Sequence, residues 1–222
     1  LGDSLEWPGQ VTLEAYLPHV PEHQLMTHPS LAGIVKIRNH ILQTRQKRTI
    51  VMVDDDIKEV RAMVGKRPRK IRDPESVRRI LENAISILQD SDRHMYLFNR
   101  GGAPWTIQLH CPVKTGGGTP SGIMIFNGKW DYRFDEKLFT HEDNDYVLQV
   151  MRGKQDRFVF VDNRFFFEFD YKSNSGGLQS VRTSDRIATD EAYLTEKWGR
   201  WLSMETSSGG NLFPKLCVRR KD

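Results

Sequence analysis

The sequence predicts an α+β protein: a basic, mostly helical N-terminal extension over residues 1–90, followed by an antiparallel β-sandwich with a C-terminal tail over 91–222. Two observations carry that prediction. Apolar residues recur at helical spacing as far as Ser91, and from His94 to Tyr171 they recur every second residue. With 222 residues and 38% hydrophobic content, the chain is long enough to bury a sizeable core.

The first thirty residues hold Pro8, Pro18, Pro21 and Pro29 around one alternating run, Val11 to Leu17, and should wrap a surface as irregular chain. Ser30 can cap a helix in which Leu31, Ile34, Val35, Ile41 and Leu42 form the apolar stripe and Arg38 and Arg45 face water. Thr49 to Val53 is a short apolar run of the kind buried in a sheet, and Asp54, Asp55 and Asp56 end it. Ile57 to Val64 reads as a short helix. The stretch GKRPRKIRDP reads as an exposed loop, because it is too basic and too broken by proline to pack.

Asp73 followed by Pro74 is a strong helix start: an N-cap acceptor, then the one position where proline's missing donor costs nothing. Val77, Ile80, Leu81, Ala84, Ile85 and Leu88 then line one face. Beyond it, His94–Phe98, Trp105–His110, Gly122–Asn127, Tyr146–Arg152, Arg157–Val161 and Arg164–Tyr171 read as strands, with Asp162-Asn163 as a tight hairpin turn between the last two. No intervening helix is expected, so paired antiparallel sheets follow.

Charge is unevenly spread. Between Lys36 and Arg79 fourteen basic residues face six acidic ones, a surplus of eight in a chain whose net charge is only +4. Such a segment suits an anionic partner, nucleic acid or acidic protein, with Lys66, Arg67, Arg69, Lys70 and Arg72 as the contacts. Read without a partner, the same residues form a solvated turn.

Cys111 and Cys217 lie far apart without metal-ligand spacing, which favours a reducing, intracellular compartment, and no apolar run spans a bilayer. Phosphate loops, nucleophile elbows, HExxH, paired CxxC and dinucleotide fingerprints are all absent, so no cofactor is expected. The aspartates after Val53 stand where several enzyme classes place Mg²⁺-binding carboxylates, and Asp170-Tyr171-Lys172 has the spelling of a nuclease site. A solvated acidic turn accounts for the same residues, and the bland reading prevails.

The strand order, read through Leu109-His110-Cys111-Pro112-Val113-Lys114, Ile125-Phe126-Asn127, Trp130-Asp131-Tyr132-Arg133, Leu138-Phe139-Thr140 and the run from Arg157 to Lys172, resembles the carbohydrate-recognition domain of galectins over roughly residues 91–195. That resemblance implies a jelly-roll sandwich whose ligand site is His110, Lys114, Asn127, Trp130 and Arg133. Pro112 replaces the family's asparagine, Lys114 its arginine, Arg133 its glutamate and Asp135 its second arginine. Lysine does not replace a bidentate arginine, so the resemblance implies a repurposed groove. The resulting expectation is a non-enzymatic recognition module for a protein partner or a non-standard glycan, with nucleic-acid binding through residues 36–79 as the alternative.

Overall fold

A computed structural model describes residues 33–45, 47–54, 57–65, 67–91, 93–100, 110–116, 118, 120, 122–128, 132–153, 159–169, 183–206 and 212–216. In chain order the elements are α1 (Ile34–Thr44), β1 (Ile50–Val53), β2 (Ile57–Val64), β3 (Arg67–Ile71), α2 (Pro74–Asp90), β4 (Met95–Arg100), β5 (Val113–Thr115), β6 (Ile123–Phe126), α3 (Glu142–Arg152), β7 (Val159–Phe169), α4 (Ser184–Trp198), a 3₁₀ turn (Gly199–Trp201), β8 (Leu202–Thr206) and β9 (Leu212–Leu216). The strand Val11–Leu17, the cap Ser30 and all but the last residue of the strand Trp105–His110, expected from sequence, lie outside the described residues.

The fold is mixed α+β with a curled, half-barrel sheet of seven strands, not a closed sandwich. Its order is β1, β6, β4, β7, β2, β3, with β5 also paired to β7, and β8 and β9 form a separate hairpin. All pairs are antiparallel except β4 with β7, which run parallel. Helix α3 lies between those parallel neighbours in the chain, which removes the all-β layout expected after Ser91.

The curl follows from chain length. β1 and β2 stand four places apart, about 19 Å across a flat sheet. Asp54 and Ile57 are three peptide steps apart, a reach of about 11 Å. The sheet therefore has to bend until the end of β1 meets the start of β2.

Both faces carry helices. On one, Val35 and Leu42 of α1 and Tyr146, Val147 and Val150 of α3 pack on Ile50, Met52, Met95, Leu97, Met124 and Phe126. On the other, Ile80, Ala84 and Leu88 of α2 meet Val60, Tyr96, Phe98, Ile123, Ile125 and Phe167. Each large side chain fully buried in this way contributes about 1.5–3 kcal/mol. Helix α2 begins as expected: Asp73 accepts from the amides of Glu75 and Ser76.

Several elements differ from expectation for identifiable reasons. Tyr146–Arg152 is helical; α3 is covered by the sheet on one side and by Leu194 and Leu202 on the other, so Tyr146, Val147, Leu148 and Val150 are buried together and no single apolar stripe shows in that stretch. Ile57–Val64 is a strand, whose apolar spacing is shifted by a register irregularity between Ile57 and Glu59. The basic run becomes edge strand β3, where lysine, arginine and proline discourage further pairing. Asp162-Asn163 is no hairpin turn but the middle of β7, where the β4 register jumps from Phe98/Asp162 to Asn99/Phe166.

Candidate active site

At the end of β1 the Asp54 amide donates to the Gly122 carbonyl at 2.7 Å, which sets the aspartate beside β6. Only glycine fits there. A Cβ on residue 122 would lie 2.4 Å from the Phe169 ring and 2.8 Å from Asp54 Oδ2.

Arg38 of α1 reaches this strand end. Its guanidinium donates to Asp54 Oδ1 at 2.9 Å and to Glu142 Oε1 at 2.7 Å, and sits 5.5 Å from the Phe134 ring centroid. Arg38 is 8% exposed and Glu142 6%, whereas the Asp54 side chain keeps 40% exposure. One buried cation thus joins a strand-end turn to the first turn of α3, and leaves the Asp54 carboxylate reachable from solvent. The expectation that Arg38 faces water is corrected by these two carboxylates, which let a guanidinium stay buried.

The first turn of α3 holds Glu142, Asp143 and Asp145, all favoured by the helix dipole. Asp143 accepts from the backbone and side-chain nitrogens of Asn144 at 2.7 and 3.0 Å and stays partly exposed. Together, Asp54, Glu142 and Asp143 make an acidic end of the sheet with one internal cation. Among the described residues no three His, Cys, Asp or Glu side chains form a metal-binding group; Asp55 and Asp56 lie outside them.

The segment before α3 is held tightly. Asn39 brackets Phe134, receiving its amide at 2.8 Å and donating to its carbonyl at 2.9 Å. Beside it runs an open groove of about 610 Å³ lined by Asn39, Gln43, Arg133, Phe134, Asp135, Glu136, Gln149 and Lys197. Lys197 bridges Asp135 and Asp145, both at 2.7 Å. Burial pushes the Asp135 carboxyl up, but the bonds from Lys197, the Lys137 amide and Tyr193 outweigh it and hold the group below its ordinary range.

The residues expected to bind a ligand lie on several separate segments of the chain. His110 is exposed in a turn, Lys114 lies partly buried on β5, and Asn127 is buried with its side chain donating to the Arg93 carbonyl. Arg133 lines the groove and donates to the Tyr132 carbonyl at 2.9 Å, and Trp130 lies outside the described residues. Of the basic set, Arg67, Arg69 and Lys70 are exposed on β3 and Arg72 is exposed just before α2; Lys66 lies outside the described residues. Lys70 and Arg61 pair with Glu59, and those bonds pull the Glu59 carboxyl down to about 2.

Cys111 is partly buried, its thiol 3.7 Å from the Val113 carbonyl. What sequence reasoning missed was Arg38 and the acidic start of α3. A signal existed for the second: Glu142, Asp143 and Asp145 crowd one turn, the usual sign of a helix N-terminus.

A mixed, mostly antiparallel sheet covered by helices on both faces is not a lectin sandwich. The comparison with protein families agrees: the model of the TET-Associated Glycosyltransferase family matches residues 9–175, and the chain belongs to that family. The match takes in Arg38, Asp54, Glu142 and Asp143. No curated protein and no solved structure matches the chain.

Family membership overturns the galectin resemblance, the non-enzymatic recognition module and the lectin and carbohydrate-binding roles drawn from it. The nucleic-acid-binding alternative gains no support either. Alternating aromatic strands are shared by many sheets, so their order alone could not separate a lectin from a transferase. No helix among the described residues is long and apolar enough to cross a membrane.

Proposed function

We propose that the protein transfers a sugar from an activated donor to an acceptor hydroxyl at the acidic end of the curled sheet. The observation that carries this is the Arg38 bridge between Asp54 and Glu142, which assembles carboxylates from two elements into one partly open site in a glycosyltransferase-family chain. Asp143 is the base: it sits on the partly exposed side of the same turn and takes the proton from the acceptor hydroxyl. The acceptor oxygen forms its bond to the anomeric carbon as the bond to the leaving group breaks, and the leaving group departs with the electron pair.

The Asp54 carboxylate, which keeps 40% of its side chain exposed, offers oxygens of the kind a hard divalent cation takes. A bound cation would supply charge neutralisation for a phosphorylated leaving group. Arg38 keeps Asp54 oriented, and Gly122 keeps the space in which its carboxylate lies.

The test is release of nucleoside diphosphate from a panel of sugar nucleotides, with Mn²⁺ and with EDTA. Turnover that depends on the cation and falls in Asp143→Asn supports the reading. A folded chain that hydrolyses none of the donors and binds no Mn²⁺ by calorimetry overturns it.

A further inference from the structure

Helix α4 lies beyond the part of the chain that the family model covers, yet it grips the turn that presents Glu142 and Asp143. Asp190, 4% exposed, accepts three hydrogen bonds at a single oxygen: from the Phe139 amide at 3.0 Å, the Thr140 amide at 2.7 Å and the Thr140 hydroxyl at 2.9 Å. The next residue, His141, has φ 61°, a left-handed conformation unusual for a side chain of that size, and its ring lies 3.8 Å from Glu191 of α4. Two further α4 residues, Lys197 and Trp198, donate to the buried Asp145 of the same turn at 2.7 and 2.8 Å.

We infer that α4 is a positioning element for the catalytic turn and that Asp190 is its principal positioning residue. Glu142 follows the left-handed residue directly, so its direction, and that of Asp143, depends on where the Phe139–Thr140 backbone is held. A buried carboxylate holding three donors at one oxygen makes that hold stiff, because losing any of the three bonds leaves the buried oxygen short of a donor. Asp190 itself touches no reacting group. The inference rests on the glycosyl-transfer reading above.

The experiment uses the full chain, with Asp190→Ala and Asp190→Asn beside wild type. Nucleoside diphosphate release is measured against concentration for the best sugar nucleotide in the panel, Mn²⁺ affinity by calorimetry, and folding by thermal melting. A misdirected base should lower kcat by about 10–100-fold. The donor KM and the Mn²⁺ Kd should stay within about threefold of wild type, because Asp54 is held by Arg38 and Gly122 instead. Asp190→Asn, which keeps an acceptor oxygen, should fall between the other two.

A folded Asp190→Ala protein with wild-type kcat overturns the inference, and so does a parallel loss of kcat and Mn²⁺ affinity. Should Asp190→Ala fail to fold, Asp190→Asn decides by the same criteria. Wild type inert toward every donor instead overturns the glycosyl-transfer reading, so the two failures are distinguishable.

Discussion

Two arginines, Arg164 of β7 and Arg38 of α1, each hold a buried carboxylate, and they do opposite jobs. Arg164 binds Asp162 at 2.7 Å in the middle of β7, and the Tyr96 hydroxyl donates to the same carboxylate at 2.6 Å. Asp162 is 0% exposed, and one cation meets one anion. Beside it, Asn163 donates to the Cys111 carbonyl at 2.8 Å and accepts from Asn99 at 3.0 Å.

That cluster is a joint: it satisfies the backbone where β7 exchanges β5 for β2 as its neighbour. Burial and the Asp162 carboxylate push the Tyr96 hydroxyl upward, so it remains a donor at any ordinary pH. Arg38, by contrast, is shared by two carboxylates from different elements, with further acids alongside. The difference teaches that charge balance, more than burial, separates a structural joint from a site that can receive a ligand.

The largest expected effect sits at the acidic end. Asp143→Asn should lower the transfer rate by about 10²–10⁴-fold while the melting temperature hardly moves, which steady-state rates and calorimetric melting together would show. An unchanged rate would remove Asp143 as the base and blur the contrast with the joint.

The joint should show the reverse. Asp162→Ala leaves the buried Tyr96 hydroxyl without its acceptor and Arg164 without its anion, and should cost about 3 kcal/mol in denaturant unfolding. Because Arg164 remains partly solvated, the loss should stay below that of a wholly buried pair. Full stability in that variant would show the cluster to be incidental.

Gly122→Ala tests whether the Asp54 slot is as tight as the geometry says. The added methyl must displace the Phe169 ring or Asp54, at about 1–3 kcal/mol, with weaker Mn²⁺ binding by calorimetry. The smallest effect concerns neither cluster and serves as the background. Hydrogen bonds from the Ser76 side chain and amide hold the Asp73 carboxyl below its ordinary range. Its contribution is therefore present above the unfolded-state value and is lost as pH falls through the lower folded one. Asp73→Asn should therefore lower the melting temperature slightly near neutrality and leave it unchanged at the acid end, so that the acid side of the pH–melting curve flattens.

How far the sequence showed all this depended on solvent. Helix α2 is legible because water covers one side, so Val77, Ile80, Ala84 and Leu88 stand out against Arg78, Arg79 and Glu82. Helix α3 is illegible because Tyr146, Val147, Leu148 and Val150 are all buried. The aspartates after β1 read in sequence as a solvated acidic turn, because nothing nearby in the chain announces the guanidinium that meets Asp54. Arg38 was invisible, because its reason for burial is Glu142, 104 residues away. Asp162-Asn163 misled for a related reason: turn-forming residues also serve where a strand must change neighbours.

The bend of the sheet makes the acidic turn a clasp. Three residues join the end of β1 to the start of β2, two strands that would stand four places apart in a flat sheet, and Asp54 is the first of them. A cation bound at Asp54 would then draw on the closure of the half-barrel as well as on the strand end, and its binding should appear as a rise in melting temperature even without an acceptor.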